Sequence, residues 1–206
     1  MDRHTERRAA LRREKIAARE ALTAQERREK SERICRRLAQ SEVYRRARTV
    51  LLYKWVRGEV QLDALEEANA RAESALQKRF VYPLCAPDRR LLAILPPPSG
   101  EAWRRGPFGI TEPDPKRGTL VPPEELDLVI CPCAAFDEAL HRLGMGGGYY
   151  DRFLPACAHA AIVAVAFEAQ CADSIPVMPW DRDVQAVVTE VRWLGSAAAP
   201  TAGQAP

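Results

Sequence analysis

Hydrophobic positions along the chain fall into two regimes. Residues 1–48 are sparse in apolar side chains, and those present recur at helical spacing. Leu11, Ala18 and Leu22 form a thin stripe predicting a first helix over about 5–21. Ile34 and Leu38 mark the inner face of a second, over about 24–40. Thr23-Ala-Gln-Glu26 between them is a capping box, in which hydroxyl and carboxylate satisfy free backbone donors at a helix start. The other faces are charged, so both helices should lie on a larger body.

That body alternates apolar runs with helical patterns. Strands are predicted at Thr49–Val56, Phe80–Leu84, Leu126–Cys131, Ala161–Phe167 and Ala186–Val191. A helix face runs through Leu62, Leu65, Asn69, Ala72 and Leu76. Near-continuous apolar strands separated by helices imply a mostly parallel sheet covered on both faces, an α/β fold. Residues 85–125 are Pro-rich and read as an irregular excursion with one short strand at Leu91–Leu95. The expected organisation is one domain over 1–194, with 1–48 as a basic helical arm packed on it and 195–206 as a disordered Ala/Pro/Gly tail.

Composition narrows the class. The chain has 206 residues, 47% hydrophobic and 29% charged, an ordinary globular balance. No apolar run reaches the roughly 18–20 residues of a membrane-spanning helix, and the first residues lack a signal-peptide core, so an intracellular, cytoplasmic protein is expected. The six cysteines lack structural-zinc spacing and read as core thiols in a reducing compartment, with a metal or redox role for Cys131-Pro-Cys133 as the alternative.

Charge adds an asymmetry hidden by the net +3. Residues 1–48 carry 16 Lys/Arg against 8 Asp/Glu, and the remainder 15 against 20. A basic arm on a mildly acidic body points to an anionic partner, either nucleic acid or small-molecule phosphates.

The strongest chemical feature is Gly144-Met145-Gly146-Gly147-Gly148, followed by Tyr149-Tyr150-Asp151-Arg152. The loop joins a buried strand to a helical segment, where ligands bind in α/β sheets. Glycines let the backbone approach an anion, and successive N–H groups with a helix start can hold phosphate. It is neither a Walker loop nor a Rossmann fingerprint, since no Gly-Lys-Ser/Thr follows and position 149 is Tyr. A flexible surface loop is the alternative. Arg8 and Arg12 share one helical face, either as a solvated surface or as phosphate forks. Asp151 reads either as an ordinary helix-dipole residue or, with Asp181, as a candidate Mg²⁺ ligand, because that ion takes one or two carboxylates and completes its shell with phosphate and water.

Together, Asp127–Pro132, Ala135–Asp137, Arg142–Gly144 and Gly146–Leu154 resemble the signature of the 5-formyltetrahydrofolate cyclo-ligase family. The likeness extends over about residues 8–190, through Arg8-x-x-Leu11-Arg12, Gly58–Val60, Phe108–Pro113, Asp181 and Val187–Thr189. The resemblance implies a single three-layer α/β/α domain of the phosphosugar-isomerase/CoA-transferase type. It implies an ATP-dependent ring closure of 5-formyltetrahydrofolate to 5,10-methenyltetrahydrofolate. ATP phosphorylates the formyl oxygen, N10 attacks the activated carbon, and no acid/base or nucleophilic side chain is required.

Carried over by residue, Arg8, Ala9, Ala10, Leu11, Arg12 and Arg142, Leu143, Gly144, Met145, Gly146, Gly147, Gly148, Tyr149, Tyr150 would meet ATP. Glu59, Lys54, Phe108 and Gly146–Tyr149 would border the folate, Glu59 on the pterin's N–H edge and Phe108 stacked on its ring. Asp151 and Asp181 would hold Mg²⁺. ATP and the folate are the expected partners of a monomer that needs neither membrane nor nucleic acid. The sequence departs from the family pattern at Arg8 (usually Lys), Leu62 (often Thr), Leu140 (commonly Gly), Met145 (Tyr or Arg) and Gln185 (usually Asp). Two other readings stay open: a different Mg-ATP enzyme on the same scaffold, and a nucleic-acid-binding module using the arm.

Overall fold

The computed structural model describes residues 3–97 and 102–196, apart from the Phe108 side chain. Two helices open it, α1 (Arg3–Glu20) and α2 (Ala24–Gln40), joined through the predicted capping box, with the Glu26 N–H on the Thr23 hydroxyl at 3.1 Å. A short α3 (Glu42–Arg46) leads into β1 (Thr49–Leu51). The strands β2 (Arg79–Cys85), β3 (Leu91–Leu95), β6 (Thr119–Val121), β7 (Leu128–Pro132), β10 (Ala161–Val165), β11 (Ala186–Val188) and β12 (Trp193–Gly195) complete an eight-stranded sheet. Its order is β12-β11-β10-β7-β1-β2-β3-β6. The five central strands are parallel, and β12, β3 and β6 join antiparallel at the edges.

Alternation along each central strand explains why these runs are apolar throughout. Val50, Leu128, Ile130, Val163, Val165, Ala186 and Val188 bury one face of the sheet against Ile34, Cys35 and Leu38 of α2, Tyr44 of α3 and Leu65 of α4 (Asp63–Arg71). Their neighbours Leu51, Val129, Cys131, Ile162, Ala164 and Val187 bury the other face, under Phe153, Leu154 and Cys157. Side chains of period two therefore fill two cores at once. The second covering layer is thin: α5 (Tyr149–Phe153) has five residues and runs into a 3₁₀ turn, Leu154–Ala156.

Several expectations are corrected. The excursion at 85–125 carries β3, β6 and a separate hairpin, β4 (Trp103–Arg105) with β5 (Thr111–Pro113), rather than one strand. Strand pairing reaches Gly195, because Ala186 lies opposite it, so the predicted tail boundary falls inside β12. The rest of that tail, 197–206, lies outside the described residues. Leu76 is 70% exposed, since α4 ends at Arg71. Leu62 is the N-cap of α4 without a side-chain cap bond, and its own side chain is buried. A Thr there would cap the helix; Leu fills the core instead. Leu140 has φ +68°, the left-handed region that favours glycine. Gln185 splices β10 to β11, its side-chain oxygen accepting the Ile162 N–H at 2.7 Å.

Candidate active site

At the carboxyl ends of the parallel strands, the glycine loop separates two clefts. It is carried by a small hairpin, β8 (Ala135–Phe136) with β9 (Arg142–Leu143). Buried Asp137 fastens that hairpin, accepting the His141 N–H at 3.0 Å and the Ile175 N–H at 2.9 Å. Arg142 is thereby aimed under the loop, where its Nη2 donates to Asp151 Oδ1 at 2.7 Å. Its side chain is 1% exposed and its Nε has no partner among the described residues.

The helical arm meets the loop directly. Arg12 Nε donates to the Gly144 carbonyl at 2.8 Å, and a Cβ on Gly146 would lie 3.8 Å from the Arg12 guanidinium carbon. Gly146 (φ +99°) and Gly148 (φ +66°) occupy left-handed backbone that other residues rarely adopt. Arg8 holds Asp181 through two guanidinium nitrogens and also donates to the Pro176 carbonyl at 2.6 Å. Burial and the nearby Arg8 charge depress the pKa of Arg12, with Asp181 opposing them. An incoming anion would relieve that crowding of cations.

The outer cleft, about 490 Å³, is lined by Arg89, Gly146–Gly148, Asp151, Arg152, Trp180 and Arg182. Its polar rim of three arginines and exposed backbone suits phosphates. Because α5 is a single short turn, those arginines and the loop amides, more than a helix dipole, supply the field. Asp151 retains one carboxylate oxygen beyond the Arg142 bond, a hard donor of the kind Mg²⁺ takes. Asp181 is fully engaged by Arg8 and by the Met178 N–H at 2.9 Å. Among the described residues no three His, Cys, Asp or Glu side chains are placed to hold a metal ion together, and a Mg-phosphate site requires no such group.

The inner cavity, about 240 Å³, is mostly apolar and lies against Tyr53, Glu59, Leu91, Ile110, Met145 and Tyr150. Glu59 is buried, 6% exposed, with Oε2 accepting the Val56 N–H at 3.1 Å. Burial raises its carboxyl pKa, and the Val56 N–H bond, followed by the charges of Arg19 and Arg57, partly offsets this. Lys54 borders the cavity, but its ammonium contacts both oxygens of Glu66 at 2.7 Å and lies over the Tyr82 and Trp103 rings. It therefore shapes the wall and presents no free charge. The Phe108 side chain lies outside the described residues; Ile110, two positions on, reaches the cavity.

Sequence reasoning passed over Glu112, which lines the same cavity fully buried. Its Oε1 accepts the Cys85 N–H at 3.2 Å and its Oε2 has no partner among the described residues. Gly106 makes room for it, since a Cβ there would fall 2.1 Å from Oε2. The Phe108–Pro113 motif contained that signal, a lone carboxylate inside an apolar stretch. All six cysteines are free, and burial pushes Cys131 up to about 11 and Cys133 up to about 12, which keeps both as unreactive thiols.

Two clefts at one sheet end, one rimmed by arginines and one mostly apolar with two buried carboxylates, form the ligand-binding end of an α/β enzyme, with room for an anionic ligand beside a second molecule. Comparison with known proteins makes this particular. The family model for the 5-formyltetrahydrofolate cyclo-ligase family matches residues 4–190, and the chain belongs to that family. It is 32% identical to the 5-formyltetrahydrofolate cyclo-ligase of Escherichia coli (strain K12) over 173 residues, 83% of this chain and 93% of that one. It is 28% identical to the Haemophilus influenzae enzyme of the same name over 180 residues, covering 86% and 95%. The NMR structure of Aquifex aeolicus 5,10-methenyltetrahydrofolate synthetase superposes with a TM-score of 0.79 at 29% identity, over 97% of this chain and 95% of that one. Membership makes the chain an ATP-dependent ligase of folate one-carbon metabolism. Among the described residues no helix is long and apolar enough to cross a membrane.

Proposed function

We propose that the outer cleft binds Mg-ATP, that the inner cavity binds the pterin of 5-formyltetrahydrofolate, and that the glycine loop is the shared wall across which phosphoryl transfer occurs. The observation that carries this reading is the bond from Arg12 to the Gly144 carbonyl, which puts the basic arm on the loop. The rim arginines Arg89, Arg152 and Arg182 and the loop Gly146–Gly148 face the triphosphate from the outer cleft, and Arg8, Arg12 and the segment between them, with Arg142–Tyr150, reach it from behind the loop. Glu59 accepts the pterin's N–H donors, while Tyr149, Tyr150 and the segment around Phe108 border its ring.

The chemistry then asks little of the side chains beyond placement and charge. The γ-phosphoryl group passes to the formyl oxygen, its bond to ADP breaking as the new P–O bond forms. This turns a poor electrophile into a carbon bearing a phosphate leaving group. N10 attacks that carbon and loses its proton. Expulsion of phosphate closes the ring as 5,10-methenyltetrahydrofolate. The loop's backbone and the arginines hold the reacting atoms in line and stabilise the equatorial oxygens. Mg²⁺, when bound, would neutralise charge on those oxygens; Asp151, and Asp181 if freed from Arg8, would hold it.

Incubation with ATP, Mg²⁺ and 5-formyltetrahydrofolate tests the reading through the absorbance of the methenyl product. Product formation that stops when either ATP or Mg²⁺ is omitted is the expected result. Turnover that continues without ATP would overturn it.

A further inference from the structure

The roles proposed above use Arg8, Arg12 and Arg142 but leave a fourth inward-facing arginine unexplained. Arg19, in the last turn of α1, is completely excluded from solvent. Its Nη2 donates to the Arg57 carbonyl at 2.9 Å. Its Nε and Nη1 have no hydrogen-bond partner among the described residues. A cation held in the interior with so little compensation is costly, and a plain packing role would be served better by an apolar side chain.

The carbonyl that Arg19 holds belongs to an unusual turn. Arg57 (φ +48°) and Gly58 (φ +74°) are both left-handed. The turn is closed by the Glu59 N–H donating to the Val56 carbonyl at 3.0 Å and by the Val56 N–H donating to Glu59 Oε2 at 3.1 Å. Arg27 of α2 packs on its far side, 3.4 Å from where a Cβ on Gly58 would lie. Glu59 thus emerges into the pterin cavity from a turn clamped by both helices of the arm. The titratable groups acting on it or responding to its charge are Arg19 of α1, Arg57 of its own turn, Tyr53 after β1, Cys133 after β7 and Tyr150 of α5. Of these, Arg19 and Arg57 alone are cations.

We propose that Arg19 is a positioning residue for Glu59: by fixing the Arg57 carbonyl and supplying positive field, it holds the pterin-binding carboxylate in its productive orientation and ties the helix of the nucleotide arginines to the folate cavity. The inference rests on the reading that Glu59 receives the pterin. A planar heterocycle offering two adjacent N–H donors is bound best by an ionised carboxylate held in one plane. Rotation of the unsupported turn would lose that fit without disturbing ATP.

Steady-state kinetics on Arg19→Met, Arg19→Lys, Glu59→Gln and the Arg19→Met/Glu59→Gln double variant test this. Arg19→Met is expected to raise KM for 5-formyltetrahydrofolate about tenfold or more while KM for ATP stays within about twofold. The double variant should be no worse than Glu59→Gln alone by more than about twofold, because both changes remove one interaction. The acidic limb of kcat/KM for the folate should move to higher pH in Arg19→Met, since without the cation the carboxyl keeps its proton longer. Arg19→Lys, which keeps the charge and loses the fork, should recover part of the loss, and it carries the test if Arg19→Met does not fold.

A parallel rise in both KM values, or effects that multiply in the double variant, would show a buttress only and overturn the inference. If Glu59→Gln weakens folate binding and Arg19→Met leaves it unchanged, the inference alone falls. If Glu59→Gln itself leaves folate KM unchanged, the placement of the pterin fails, and the inference with it.

Discussion

Arg8 grips Asp181 with two guanidinium nitrogens, so the residue proposed to meet phosphate and a residue proposed to meet metal are bound to each other in this structure. The pair is largely buried, with side-chain exposures of 13% and 7%. Mg-ATP would satisfy both partners separately, the triphosphate taking Arg8 and the cation taking Asp181.

Arg8→Ala should raise KM for ATP about 10–100-fold, the value of a charge-assisted bond or two, with folate KM within about twofold. Initial-rate measurements with each substrate varied check this. An unchanged KM for ATP would reduce Arg8 to a structural tie on the 176–181 loop.

Asp151→Asn should cost stability as well as Mg-ATP affinity. Arg142, almost fully buried, loses its only carboxylate partner among the described residues and already carries one unpartnered nitrogen. Asn keeps an acceptor oxygen, so the cost should be about 1–3 kcal/mol, and melting should fall by about 2–4 °C per kcal/mol. Thermal melts without nucleotide isolate this term. A melting temperature equal to that of the parent would show that Arg142 does not depend on the pair.

Glu59→Gln should stabilise the fold near neutral pH even as it weakens folate binding. Because burial raises this carboxyl's pKa above its unfolded value, its favourable contribution is present below the ordinary carboxylate range and lost as pH rises through the raised value. The difference in melting temperature between variant and parent should therefore grow from about pH 4.5 upward. A difference independent of pH would show that folding leaves the Glu59 pKa where it is in the unfolded chain.

Leu62→Thr, which restores the family's usual residue, should destabilise the protein by about 1–2 kcal/mol in urea unfolding. The cap returns about 0.5–2 kcal/mol at the start of α4, but exchanging a 1%-exposed Leu for a hydroxyl forfeits more in transfer and cavity terms. A more stable variant would mean that the uncapped helix start outweighs the core contact.

Much of the fold follows from neighbours along the chain. Near-continuous apolar runs identified the five parallel strands, the Thr23–Glu26 box marked the start of α2, and clustered glycines after a buried strand marked the ligand loop. Each is a local consequence of backbone geometry and side-chain spacing. Which charges turn inward depends instead on packing between distant segments. Arg19 lies on a helix whose pattern reads as surface, yet it ends sealed beneath the Glu59 turn. Arg8 meets a carboxylate 173 positions away. Glu112 is buried in a cavity that exists because β2, β3 and the 106–112 segment close around it. The edge strand β12 is short and polar-flanked, and it became visible through its pairing with β11. Burial and pairing of a charge are set by distances between segments remote in sequence, and no local period encodes them.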